Sequence, residues 1–297
     1  MPTMTMSQYD AMNHAQDPYA PFALPETAKF DDGLVQVKNG HLWYRDTGGA
    51  GETVVLLHAA AGSGLLWGYQ LPALARAGYR AIAYSRRRGY VGSSAVDAAH
   101  PVPAIDDLQV LVDALGVGRF HLLGVAAGGG VAAEYALHYP GQLLSLAVAG
   151  NPLGQTVGLI AELQRRIRPE AWEALPAWFR ELSGSYCAAC PEGAQKWIEL
   201  NAISLVDPEH HRDLRRAVQP ARRRIGPEDV AGLKMPVLLI GGEADVYSPP
   251  AIIRMTAELP PQCDCLIATG AGHSVYWERP ALFNRVLIDF LARHAGG

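Results

Sequence analysis

The sequence predicts an α/β protein: a doubly wound, mostly parallel sheet of about eight strands with an inserted helical cap. Three observations predict it. Short continuous apolar runs, such as Thr53-Val-Val-Leu-Leu-His58 and Pro236-Val-Leu-Leu-Ile240, read as strands covered on both faces. Helix-forming segments alternate with them, as parallel strands require of their crossovers. From Asn151-Pro152 to Lys234 that alternation stops and only helical patterns remain.

In chain order, residues 1–30 are polar, contain Pro18, Pro21 and Pro25, and show no sustained period. They read as an N-terminal arm or disordered leader. Leu34-Val-Gln-Val-Lys38 and His41-Leu-Trp-Tyr-Arg45 alternate around Asn39-Gly40, a hairpin signal. After the Thr53–His58 strand, a helix is expected over Trp67–Ala77, a strand over Arg80–Ser85 and a helix over Asp106–Leu115. Arg119-Phe-His-Leu-Leu123 is the next strand, and Val131–Tyr139 a helix that stops before Pro140-Gly141. Leu143–Gly150 follows as a strand. The cap, residues 152–234, is expected to hold helices at Val157–Ile167, Glu170–Leu182, Glu192–Leu205 and Pro208–Val218. Its tryptophans Trp172, Trp178 and Trp197 are candidate walls of a substrate pocket, or pack the cap onto the body. A helix at Pro249–Leu259, a strand at Asp264–Ala268 and a helix at Pro280–His294 complete a core of residues 31–151 and 235–297.

With 49% hydrophobic and 18% charged residues over 297 positions, the chain has ample material for a buried core. A net charge of −4 carries no electrostatic footprint for nucleic acid. No apolar run reaches membrane-spanning length, and the first residues lack the basic and apolar regions of a secretory leader. These observations read as a cytoplasmic protein acting on a small molecule, with no membrane or nucleic-acid partner, a homodimer being left open. Cys187-Ala-Ala-Cys190 has the spacing of a redox or zinc half-site without the context of either, and no metal site is expected. Arg222-Arg-Arg224 reads as a solvated charge run.

Leu122-Leu-Gly-Val-Ala-Ala-Gly-Gly-Gly130 organises the rest. A strand entering a helix through Gly-x-x-x-Gly is the layout of a nucleophile elbow, Gly-x-Ser-x-Gly. Its central residue here is Ala126, so the turn is expected without the nucleophile. By itself the stretch is compatible with an ordinary tight turn. Downstream, however, Asp245 follows the strand after the cap and His273 follows the last strand, both at carboxyl ends where open parallel sheets bind ligands.

The order elbow, acid, histidine resembles the α/β-hydrolase superfamily over roughly residues 34–295. The resemblance is carried by Val54–His58 with its Gly-Ser loop and Trp67, by Ala83–Ser94, by Leu123–Gly129, by Pro236–Asp245, and by Gly270-Ala-Gly-His273 leading to Glu278-Arg-Pro280. It implies the fold, no cofactor, Asp245 and His273 as the acid and histidine of a triad, and backbone N–H groups of Ala60 and Ala127 as the oxyanion hole. Two departures stand out. His58-Ala59-Ala60-Ala61 replaces the family's His-Gly, and Ala126 stands where a serine belongs. Ser63 and Ser94 lie on other loops, and nothing in the sequence places them beside His273.

Loss of the serine removes on the order of 10⁶ in kcat from a hydrolytic triad, which excludes a serine-esterase mechanism for this chain. An alanine there is either natural or an engineered inactivation of a serine hydrolase. The start at Met1 without a tag favours the natural alanine. The Asp245–His273 pair is then expected to activate water against a small ester, lactone, carbamate or related activated carbonyl. A cofactor-free lyase using His273 as base, and a non-catalytic ligand-binding protein, remain alternatives.

Overall fold

The apolar runs form the middle of one eight-stranded sheet, ordered β1-β2-β4-β3-β5-β6-β7-β8. The strands are β1 (Asp31–Val37), β2 (Gly40–Asp46), β3 (Thr53–Leu57), β4 (Arg80–Tyr84), β5 (Phe120–Val125), β6 (Leu143–Ala149), β7 (Val237–Gly242) and β8 (Cys263–Ala268). The computed structural model describes residues 4–20, 22–25, 30–60, 62–87, 92–168, 174–204 and 219–296. β1 pairs with β2, and β2 with β4, antiparallel; every other pairing is parallel.

Why the central runs are apolar throughout is visible in β3. Val54 and Leu56 enter the core on one face, while Val55 and Leu57 enter the core on the other. β5 divides in the same way, with Leu123 and Val125 against Phe120 and Leu122. A period of two with both sides covered leaves little room for polar side chains, and His121 of β5 and Ser145 of β6 are buried against each other at 2.8 Å, whereas the edge strand β1 buries only Val35. Crossover helices α2 (Gln70–Arg76), α3 (Ala104–Ala114) and α4 (Ala127–His138) supply the covering layers. The predicted Trp67–Ala77 helix begins as a 3₁₀ turn at Gly64–Trp67 before α2.

β3 bonds to β4 on one side and β5 on the other, so the chain order reverses at its carboxyl end. Such a reversal splays the loops apart and opens a crevice. The elbow after β5 and the Ala59–Ser63 loop after β3 flank it.

Of the two readings of residues 1–30, an arm or a disordered leader, the second is corrected over Met6–Ala15. Met6–Ala15 is a helix, α1, with a Thr5 cap in which Gln8 N–H donates to Thr5 Oγ1 at 3.3 Å. It docks through two hydrogen-bonding residues. Tyr9 is fully buried and its hydroxyl donates to Asp289, while Asn13 donates to Ile267 O at 2.7 Å and accepts from Thr269 N–H at 3.0 Å. Tyr9 and Asn13 are the buried residues of α1, with Met6 and Met12 half-buried against the same core, too short and mixed a face for hydrophobic periodicity to reveal.

Between β6 and β7 the described residues add no strand to the sheet. They form helices α5 (Gly158–Arg166), α6 (Ala177–Glu181), α7 (Gly184–Ala189), α8 (Pro191–Ile203) and α9 (Pro227–Ala231), with one isolated bridge between Gln155 and Ile225. The expected helix at Pro208–Val218 and Trp172 lie outside the described residues. Helix α10 (Pro250–Ala257), a short α11 (Val275–Glu278) and α12 (Pro280–Arg293) complete the chain. Arg222 and Arg223 are exposed and pair with Asp106 and Asp229, respectively.

Candidate active site

Ala126 has φ 49° and ψ −119°, a backbone state that a residue with a Cβ holds only under constraint. Two hydrogen bonds impose it: Ala126 N–H donates to Ala149 O at 2.8 Å, and Ala126 O accepts from Gly129 N–H at 2.9 Å. The flanking glycines are required by contact. A Cβ on Gly124 would lie 2.5 Å from Gly128 O, and one on Gly128 would lie 2.4 Å from Leu57 O. The sharp turn of a nucleophile elbow is therefore fully built around a methyl group. Ala126 is half-buried and Ala127 exposed, so the turn faces an accessible surface. Ala127 opens α4, where the first N–H groups have no acceptor within the helix.

The loop after β3 is held by His58. Its Nε2 accepts from Arg86 N–H at 3.0 Å, and Arg86 Nη2 donates to His58 O at 2.9 Å. Half-buried Ala60 follows on this loop. Ser63 turns away from the elbow and shares a hydrogen bond with Ser204 at 2.7 Å, while Ser94 bonds the hairpin residue His41. Neither is brought to His273.

Asp245 and His273 meet. Asp245 Oδ1 accepts from Tyr247 N–H at 2.7 Å and Ser248 N–H at 3.0 Å, which turns Oδ2 toward His273 Nδ1 at 2.8 Å. That contact assigns the ring proton to Nδ1 and leaves Nε2 as the basic nitrogen of the neutral form. Both side chains are buried, and the Tyr247 ring stacks on the imidazole at 4.7 Å between centroids. Burial alone would pull the His273 pKa down. The negative charges of Asp245 and Glu181 outweigh it and push the imidazole up to about 9.

Gly150 brings the histidine and the elbow together. It directly follows Ala149, whose carbonyl ties Ala126, and its φ is +62°. A Cβ there would lie 2.9 Å from His273 Cε1 and 3.0 Å from Nδ1. A Gly150→Ala variant is accordingly expected to displace the ring and lower turnover about 10²-fold, as a displacement of about 1 Å can. The strained backbone would cost about 1–3 kcal/mol of stability. Parallel measurement of kcat/KM and the denaturation midpoint checks this; parent-like activity would remove Gly150 from the site.

The two described candidate tryptophans lie in different surroundings. Trp178 is 38% exposed, edge-on to Phe179, and Trp197 is 1% exposed within the core that also contains Trp67 and Tyr276. A cavity of about 310 Å³ lies behind the histidine loop, lined in part by Phe22, Tyr69, Tyr186 and Trp277, and touches neither Ala126 nor His273. Cys187 and Cys190 are free thiols that burial pushes to higher pKa.

Three residues escaped the sequence reading: Gly150, Tyr247 and Glu181. Gly150 and Tyr247 lie within a few positions of recognisable strand ends, and that adjacency was the available signal. Glu181 lies in the insertion and had none.

Proteins of known character resemble this chain. The model of the alpha/beta hydrolase family matches residues 54–286. The chain is 28% identical over 266 residues to a 2-hydroxy-6-oxononadienedioate/2-hydroxy-6-oxononatrienedioate hydrolase of Burkholderia vietnamiensis, covering 84% of this chain and 90% of that protein. Among solved structures, a thermophilic esterase from Thermogutta terrifontis superposes with a TM-score of 0.72 at 24% identity, covering 90% of this chain and 100% of that one. The enol-lactonase of Burkholderia xenovorans gives 0.70 at 22%, covering 88% and 100%. These structural likenesses bear on the fold. With the family match spanning the sheet from β3 into the final helix, the chain belongs to the α/β-hydrolase family.

Proposed function

We propose that the protein hydrolyses a small ester, lactone or related activated carbonyl compound, with water rather than an enzyme side chain as the nucleophile. The observation that carries this reading is the pairing of His273 with Asp245 at 2.8 Å beside an elbow turn that ends in a methyl group. An acid–histidine pair with one imidazole nitrogen left over is a general base, and the elbow geometry sets where it acts.

The steps balance as follows. His273 Nε2 takes a proton from a water held over Ala126, and the oxygen adds to the substrate carbonyl. Asp245 stabilises the resulting imidazolium through Nδ1–H. The backbone N–H groups of Ala60 and Ala127 receive the developing oxyanion. Collapse of the adduct expels the leaving oxygen, which takes the proton from His273. The helices described between β6 and β7 act as a lid over this crevice. General-base catalysis contributes about 10²–10⁴, which suits activated carbonyls and not simple amides. One relative named above is a hydrolase of an oxo-dienedioate and a structural neighbour is an enol-lactonase; enol lactones, which carry the leaving oxygen, head the substrate panel, with oxo-dienedioates beside them.

Turnover of that panel in ¹⁸O-enriched water tests the reading. One labelled oxygen is expected in the carboxylic product. Turnover without solvent oxygen in the product would replace hydrolysis by a lyase reaction, with His273 still the base.

A further inference from the structure

Glu181 sits where a hydrolytic triad has no member. It ends α6 in the insertion and is 7% exposed. Its carbonyl accepts from Ser274 N–H at 2.9 Å, and Ser274 Oγ donates to its Oε2 at 3.4 Å. The residues after it press on the same loop. A Cβ on Gly272 would lie 2.6 Å from Ser183 N, and Glu278 accepts from Ser183 N–H at 3.1 Å and from Gly272 N–H at 3.0 Å. Residues 181–183 are thus laced to the loop on both sides of His273.

We infer that Glu181 is a positioning residue of the site, a second carboxylate that the lid brings to His273 to make it a stronger base than Asp245 alone could. The inference deepens the proposed hydrolytic role and rests on His273 being the base. Its physical case begins with Ala126. Without a serine hydroxyl the proton must come from water, and transfer to the base in the transition state improves with the proton affinity of that base. Two carboxylates facing one buried imidazole raise that affinity by stabilising the imidazolium.

The charged groups that face His273 come from two directions. Asp245 arrives from the loop after β7, and Glu181 and Arg168 arrive from the insertion, Arg168 acting against the imidazolium. Burial raises the Glu181 pKa while His273 lowers it, so glutamate and imidazole compete for one proton. Since Glu181 belongs to the insertion, the full strength of the base exists only while that segment rests on the histidine loop. Lid contact and base strength are thereby coupled.

The test is a titration of the full chain with ¹³Cε1-labelled histidine, read by NMR, with the His273 resonance assigned by its loss in His273→Gln. In the parent, His273 should titrate well above free imidazole. Glu181→Gln, nearly isosteric, should lower its proton affinity roughly tenfold, and Glu181→Asp should retain part of the effect. The ascending limb of the pH–kcat/KM profile, set by deprotonation of His273, should move to lower pH with it. An unchanged His273 midpoint in folded Glu181→Gln overturns the inference. If that variant does not fold, Ser274→Ala replaces it: loss of the hydroxyl donor lets Glu181 hold the proton more firmly, so the His273 midpoint falls, and no change overturns the inference. The titration needs no turnover, so a failed hydrolase assignment is seen separately in the ¹⁸O experiment.

Discussion

Ala126→Ser is expected to be labelled covalently by a fluorophosphonate probe at residue 126, while the parent chain remains unlabelled. The turn that strains a nucleophile is already built, with φ 49° and hydrogen bonds to Ala149 and Gly129 holding it. His273 is already oriented by Asp245 at 2.8 Å. Only the hydroxyl is missing. A complete triad exceeds the remaining site by up to about 10⁶ in kcat, so hydrolysis of activated p-nitrophenyl esters should rise by several orders of magnitude. Turnover of the parent's own substrate should move the other way, since the new hydroxyl occupies the position proposed for the attacking water. Mass spectrometry of probe-treated chains decides the matter. Labelling of the parent chain at any residue would mean that a nucleophile exists elsewhere and that Ala126 is not the centre of the site.

His273→Ala is the second large effect. Removing the base should lower kcat/KM about 10²–10⁴-fold, while Asp245, pinned by Tyr247 and Ser248 N–H groups, keeps its place. Unaltered activity in this variant would refute the proposed base. The pH dependence carries a sign as well. Asp245 and Glu181 hold the imidazole at about 9 against the opposing effect of burial, so the free enzyme carries imidazolium at neutral pH. Activity that needs neutral His273 should therefore climb with pH toward about 9 rather than level off near 7. Stability runs in the opposite direction. A group whose folded pKa is raised contributes stability that is fully present below its unfolded pKa of about 6.5 and lost as pH climbs through the folded value. The His273→Ala variant should lose both dependences together.

What the sequence determined by itself is the sheet and the order of its functional ends. Runs such as Thr53–Leu57 and Phe120–Val125 are legible because a central strand buries both faces, a demand that every side chain in the run must meet. The Gly124-x-x-x-Gly128 spacing is legible because a Cβ at either position would strike backbone oxygen, and backbone cannot yield. The meeting of Asp245 with His273 is legible because both follow carboxyl ends of neighbouring parallel strands, β7 and β8. Tertiary structure decided the rest. Tyr9 and Asn13 anchor α1 through two side chains whose partners, Asp289 and Ile267, are more than 250 positions away, and no local period records such a contact. Trp197 has the composition of a pocket wall and the burial of a core residue, a choice made by the neighbours it meets. Glu181 reads as an ordinary polar residue in a short helix. Only the closure of residues 181–183 onto residues 272–274 gives it a charge partner, because electrostatic coupling depends on distance and burial in the folded chain and leaves no pattern along the sequence.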